Sequence, residues 1–198
     1  MKLNWAERWV VNNPFRVMEQ RIEMKLFERM EPLAPGATLL EIGCGRGAGA
    51  CLIRQKFRPS RLLAQDLDPQ MTYMAGRYLA NAGAGAVDLS VADAVDIPLK
   101  DECIDAVFGF GFLHHVPAWQ TALREVMRVL KPGGRYYFEE LYPGLYQNAV
   151  TGRILLHPAK NRFESEDLRA ELAGTGLSIK AALEIKPLGI LGVALKKS

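Results

Sequence analysis

The 198-residue chain is 49% apolar and 24% charged, a balance that suits one globular domain with one continuous core. Its formal net charge of +3 is small and dispersed, which argues against nucleic acid as the main partner; Arg54, Lys56, Arg58 and Arg61 come nearest to a basic cluster and read as a solvated helix end and loop. Residues 1–10 lack a secretory pattern, no apolar stretch nears the roughly 18 residues that span a bilayer, and Cys44, Cys51 and Cys103 show no CxxC spacing, so the expectation is a reduced, cytoplasmic protein with no transmembrane segment, disulfide framework or metal site.

In chain order, residues 1–11 carry Trp5 and Trp9 and read as a short helix folding over the domain. Asn13-Pro14 is a good helix start, with Asn as N-cap and Pro at the first helical position. Phe15, Met18, Ile22, Leu26 and Met30 then recur at helical spacing, which predicts an amphipathic helix to about Met30. A breaker-rich linker over 32–36 follows. Beyond it, short apolar runs alternate with helical patterns. Strands are predicted over 38–42, 61–65, 86–91, 104–110 and 135–141. Helices are predicted near 49–57, over 70–82 and over 118–130, the last with Leu123, Val126, Met127 and Leu130 on one face. Lys131-Pro132-Gly133-Gly134 ends that helix and turns into the fifth strand. This alternation predicts an α/β fold: one mostly parallel, Rossmann-like sheet flanked by helices.

The end of the chain breaks the pattern. Ser165 reads as the N-cap of a helix ending near Gly174, with Glu166 and Asp167 suiting its positive end. Strands over 177–183 and 189–195 are joined by too few residues for a parallel crossover, so they are expected to pair as an antiparallel hairpin.

Three features carry chemistry. First, Leu39-Leu40-Glu41-Ile42-Gly43-Cys44-Gly45-Arg46-Gly47-Ala48-Gly49 runs from a buried strand through a glycine turn into a helix. Glycines permit positive φ and close approach of a ligand to the backbone, and the free N–H groups of a helix start favour a carboxylate or a phosphate. Taken alone the turn also satisfies a tolerant dinucleotide pattern. Second, Asp66 ends the next strand, where a carboxylate accepts both hydroxyls of an adenosine ribose; Asp68 is the weaker candidate and suits a cap for the helix that Pro69 opens. Third, Asp93-Ala94 lies just past the third strand, on the rim where strand ends converge on a ligand crevice.

With these motifs, Ile97-Pro98-Leu99, Asp105-Ala106-Val107-Phe108, Phe112-Leu113-His114-His115-Val116-Pro117 and Arg128-Val129-Leu130-Lys131-Pro132-Gly133-Gly134, the chain resembles the class I, Rossmann-like S-adenosylmethionine-dependent methyltransferases from about Thr38 to Ser198. Among these the small-molecule subgroup is the most similar. The resemblance implies S-adenosylmethionine as methyl donor and S-adenosylhomocysteine as product. It implies that Gly43, Cys44, Gly45 and Gly47 face the methionine part, with Glu41 ordering the loop. Asp66 is then the ribose acid, Asp93 the adenine-side acid, and Leu67 and Ala94 flank the adenine ring.

Such a cofactor carries the hard chemistry, and the protein must align the acceptor and exclude water. A general base is optional. His114, His115 and Glu140 are the candidates, the histidines in the loop after strand four and Glu140 beside Glu139 at the end of strand five. Strand alternation lets at most one of the two glutamates enter the crevice. A long insertion at about 142–164 bears Tyr142, Tyr146, Ile154, Leu155, Leu156, His157 and Pro158 and suits an apolar acceptor pocket or lid. The expected organisation is an amino-terminal helical cap over 1–31 and a methyltransferase domain over 32–198. The expected acceptor is a small, partly apolar molecule, quinone- or lipid-like. Two rival readings stand beside it: a nicotinamide-dependent oxidoreductase using the same glycine loop, and an inactive S-adenosylmethionine-binding regulatory protein. Acceptor identity, methylated atom and oligomeric state are not encoded in any motif.

Overall fold

Alternation of side chains along the strands explains why both faces of the central sheet need helices. In the computed structural model, which describes residues 14–146 and 161–197, Leu39 points to one core and Leu40 to the other. The same switch separates Val107 from Phe108, and Tyr136 and Phe138 from Tyr137. The elements are α1 (Pro14–Met30), β1 (Thr38–Ile42), α2 (Ala48–Phe57), β2 (Arg61–Asp66), α3 (Pro69–Asn81), β3 (Asp88–Val91), β4 (Ile104–Phe110), a 3-10 turn (Leu113–His115), α4 (Trp119–Val129), β5 (Leu130–Leu141), a single turn α5 (Pro143–Tyr146), α6 (Ser165–Thr175), β6 (Leu177–Ile185) and β7 (Gly189–Lys196). Residues 1–13, with Asn13, Trp5 and Trp9, lie outside the described part of the chain, as does 147–160 with Ile154, Leu155, Leu156, His157 and Pro158.

The seven strands form one sheet in the order β3-β2-β1-β4-β5-β7-β6. Strands β1 to β5 pair in parallel, and β7 runs antiparallel to both β5 and β6. The sheet is thus α/β and Rossmann-like, with the antiparallel carboxy-terminal hairpin expected from the short 186–188 connection. One core joins Met24 and Phe27 of α1, Ile53 and Phe57 of α2 and Leu79 of α3 to the sheet; the other joins Leu123 and Val126 of α4 and Leu168 and Leu172 of α6. Within the first, Phe108 stacks on Tyr137 with centroids 4.6 Å apart, and Phe27 meets Tyr137 at 5.4 Å.

Three local expectations need correction. The stripe Phe15, Met18 and Ile22 is not the buried face of α1: these residues are 68%, 56% and 55% exposed. The buried face is instead Gln20, Met24 and Phe27, continued by Glu31. Two of those positions are polar, which hides the face from a hydrophobic pattern. Glu31 is accommodated because Arg135 of β5 and Lys180 of β6 meet it at 3.1 and 2.7 Å. The N-cap of α6 is Glu164, not Ser165: Glu164 and Asp167 form a reciprocal capping box, and Ser165 is buried as the first helical residue. Finally, Lys131–Gly134 does not precede β5 but interrupts it. Leu130 pairs with Ile104, the four residues bulge out, and Arg135 rejoins the ladder at Ala106, with Gly133 at φ 72° making the bulge possible.

Candidate functional site

Because β1, β2, β3 and β4 run in parallel, their carboxyl ends and following loops share one rim, where a cavity of about 340 Å³ opens. One side is formed by Gly43–Arg46 after β1, Asp66 and Leu67 after β2, and Asp93–Val95 after β3. The other is formed by Phe110–Phe112 after β4, by His115–Ala118, and by Arg16 and Gln20 of α1. The size falls in the roughly 300–1,000 Å³ range of small-ligand sites.

The glycine loop is shaped by backbone demands that only some of its glycines share with a ligand. Gly45 lies at φ 52°, and a Cβ on it would meet no protein atom within 4 Å, so its front is the cavity. Gly43, at φ 71°, also lines the cavity, but its hydrogen faces Phe112, whose Cβ a side chain would meet at 2.8 Å. Gly47 does not line it: at φ 88° it packs on Ala75 of α3, where a Cβ would lie 3.1 Å from Ala75 Cα. Cys44 does line it, and burial pushes its thiol well above the usual range, so it is an inert wall.

Asp66 joins the loop to the next helix. One oxygen accepts from Gly45 N–H at 2.9 Å and the other from Asp68 N–H at 2.9 Å. Burial raises its pKa, against the opposing effect of these bonds. Asp68 caps α3 by accepting from Gln70 N–H at 3.0 Å. Asp93 lies on the cavity with Ala94, and its Oδ1 accepts from Val95 N–H at 3.1 Å. Glu41 is fully buried behind the loop, off the cavity. It accepts from Ala50 N–H, and only the missing side chain of Gly49 leaves room for its carboxyl. Burial, then the nearby Asp66, holds that carboxyl well above the ordinary range. Its Oε2 has no hydrogen-bond partner among the described residues.

The three candidate bases fall in different places. His115 lines the cavity; His114 and Glu140 do not. The carboxylate of Glu140 is fully buried and points at the Leu113–His115 turn. Its neighbour Glu139 turns the other way and meets Arg16 at 2.7 Å. Sequence reasoning missed Arg16 and Gln20. Arg16 reaches Glu23 at 2.9 Å as well as Glu139, and so ties α1 across the rim. A single arginine in a charged helix carries no signal of this; a helix that must cover a crevice is the only hint.

The donor set fits an adenosyl amino acid. It offers a carboxylate at each of two successive strand ends, an uncovered Gly45, and Arg46 Nε and Gln20 Oε1 buried without partners among the described residues.

A family model described as a methyltransferase domain matches residues 40–138. The fatty-acid O-methyltransferase of Mycolicibacterium smegmatis is 35% identical over 108 residues, covering 54% of this chain and 38% of that protein. A probable phthiotriol/phenolphthiotriol dimycocerosates methyltransferase of Mycobacterium ulcerans is 30% identical over 147 residues, covering 71% of this chain and 56% of that protein. The chain therefore spans only about 38% and 56% of these two curated relatives. A crystal structure of an S-adenosylmethionine-dependent methyltransferase from Aquifex aeolicus superposes with a TM-score of 0.77 at 18% identity, covering 98% of this chain and all of that one.

Proposed function

We propose a reaction for this chain, which belongs to the class I S-adenosylmethionine-dependent methyltransferase family: transfer of the sulfonium methyl of S-adenosylmethionine to a small, largely apolar acceptor. The observation that carries it is the single cavity on which Gly43, Gly45, Asp66 and Asp93 converge. In this reading the Gly43–Arg46 backbone holds the methionine part, Asp66 the ribose hydroxyls, and Asp93, Leu67 and Ala94 the adenine. Glu41 and Gly47 act from behind, keeping the loop in shape. Arg16 and Arg46 are the cationic groups on the cavity wall and suit an anionic group of the cofactor or acceptor.

When bound, the cofactor supplies an already activated methyl group. The chain's part is alignment and exclusion of water, effects that in well-oriented systems supply about 7–11 kcal/mol. Phe110, Phe112, Val116 and Pro117 make the acceptor side dry. His115 is the titratable ring there, placed to take a proton from a hydroxyl or carboxyl acceptor when one must leave. The apolar wall and the two lipid-directed names among the relatives support a lipid-like acceptor.

Calorimetry tests the cofactor: S-adenosylmethionine and S-adenosylhomocysteine are expected to bind, and NAD and NADP not to. Tight NAD binding without S-adenosylmethionine binding would overturn the reading. For the acceptor, radiolabelled S-adenosylmethionine is incubated with fractionated cell extract. Label is expected in the lipid and small-molecule fractions and absent with an Asp66→Ala variant. Label confined to nucleic acid or protein would refute it.

A further inference from the structure

Glu140 is the most enclosed carboxyl near the cavity, with none of its surface exposed, yet it does not touch the cavity. Each of its oxygens has a defined partner. Oε1 accepts from Leu113 N–H at 2.9 Å; Oε2 accepts from His114 N–H at 3.2 Å and lies 2.8 Å from His114 Nδ1. All these partners belong to the one 3-10 turn between β4 and α4, so a single side chain of β5 fastens that turn at three points. His114 and His115 have ring centroids 4.3 Å apart, and His115 alone of the two lines the cavity. The other edge of His114 faces Gly111: a Cβ there would stand 3.4 Å from His114 Cε1 and 3.1 Å from Glu139 Oε2. A side chain at Gly111, disfavoured by its φ of 66°, would crowd Glu139 and touch His114.

We propose that Glu140 is a positioning residue: it clamps the Leu113–His115 turn, holds Nδ1 of His114 in a fixed hydrogen bond, and thereby sets the ring of His115 against the cavity as the side chain that faces the methyl acceptor. This rests on the assignment of the cavity to cofactor and acceptor. One proton lies on the Glu140–His114 line, held by the carboxyl or by Nδ1. Either way Nδ1 is committed, and the orientation of the His114 ring is defined before any acceptor arrives. Burial pushes Glu140 up to about 8, against the backbone N–H bonds of Leu113 and His114. A buried acid with three partners on one turn orders a site more firmly than a surface pair does.

The test needs no acceptor. The chain has three histidines, so histidine-labelled protein gives few imidazole signals, assignable by His114→Gln, His115→Gln and His157→Gln variants. Glu140→Gln keeps the shape but leaves one oxygen to accept from the Leu113 and His114 N–H groups and makes the other arm an obligatory N–H donor. In that variant the imidazole ¹⁵N shifts of His114 are expected to report a changed tautomer or a mixture. The His115 signals should shift or broaden, while affinity for S-adenosylhomocysteine stays within about threefold of wild type. Glu140→Asp, which keeps the charge, should restore part of the His114 signature. Unchanged His114 and His115 signals in folded Glu140→Gln would overturn the proposal. So would loss of S-adenosylhomocysteine binding in both variants, since Glu140 would then serve the cofactor. If Glu140→Gln does not fold, the Glu140→Asp spectrum decides: wild-type His115 shifts together with a disturbed His114 would refute the clamp. Absence of S-adenosylhomocysteine binding by the wild type would instead strike the cavity assignment itself.

Discussion

Asp66 divides its two carboxylate oxygens between Gly45 N–H and Asp68 N–H, so it shapes the loop as well as facing the cavity. Asp66→Ala is therefore expected to weaken S-adenosylhomocysteine binding about ten- to a hundredfold, the equivalent of roughly 1.5–3 kcal/mol for bonds to a charged group. It should also lower the denaturation midpoint modestly, because two backbone donors lose their acceptor. Calorimetry with an affinity unchanged from wild type would remove Asp66 from the site. Gly45→Val makes the complementary test. Its Cβ meets no protein atom within 4 Å and stands on the cavity side, at a backbone φ of 52° that valine tolerates poorly. Binding should be lost in a protein that still folds; wild-type affinity in calorimetry would show that the loop does not meet the ligand. The motif made Gly43, Gly45 and Asp66 legible, and all three line the cavity. It could not separate Gly47 from them, because Gly47 answers to Ala75 on α3, a contact between positions 28 apart in sequence that no local pattern records. Nor could it place Glu140 behind the wall: strand alternation distinguishes the two sides of β5 but not which side the crevice occupies.

At the scale of elements, the strands and their parallel pairing followed from alternating apolar runs and breakers, since the central strands β1 and β4 are buried on both faces and read as mostly apolar. Helix α1 was legible in extent but not in orientation. Its inner face carries Arg16, Gln20 and Glu23 and is continued by Glu31; on the sheet Glu139 meets Arg16, and Arg135 and Lys180 meet Glu31. This identifies Arg16 as the tie between helix and rim. Arg16→Ala would leave Glu23 and Glu139 facing each other with no intervening cation. It should destabilise the protein by roughly 1.5–3 kcal/mol, the loss expected of a charged hydrogen bond whose partner stays buried. Amide exchange over 14–30 should rise while α4 and α6 remain protected. Uniform protection across α1 would mean that Met24 and Phe27 hold the helix unaided. The capping box of α6 is a smaller tie: Glu164→Ala should cost about 0.5–2 kcal/mol in urea denaturation, whereas Ser165 is not the cap and owes its place to burial.

For the molecule as a whole, the placement of its carboxyls sets how stability depends on pH. Glu23, Glu41 and Glu140 are all pushed upward. Burial is the first cause in each; for Glu23 the neighbouring Glu139 comes next, against the opposing effect of Arg16, and both Glu23 and Glu140 reach about 8. A carboxyl whose folded pKa exceeds its unfolded value of about 4.3 binds its proton more tightly in the native state. Its contribution is fully present below about 4.3 and is lost as pH rises towards 8. Other carboxyls act in the opposite sense. Burial raises Glu184, but hydrogen bonds from Ser165, Tyr142 and Arg169 outweigh it and hold the group at about 2; Glu31 is lowered by Lys180 and Arg135 despite burial. These contributions are present above about 4.3 and are lost as pH falls towards 2. The two sets cross in mildly acidic solution, so the ligand-free protein should be most stable near pH 5 and lose stability steadily to pH 8. Replacing Glu23 by Gln removes one of the groups that ionise at a penalty, so the decline from pH 5 to pH 8 should become shallower in that variant. Thermal denaturation at constant ionic strength measures both effects. A midpoint that climbs from pH 5 to pH 8 in the wild type, or a slope unchanged by Glu23→Gln, would show that these carboxyls ionise as freely in the folded chain as in the unfolded one.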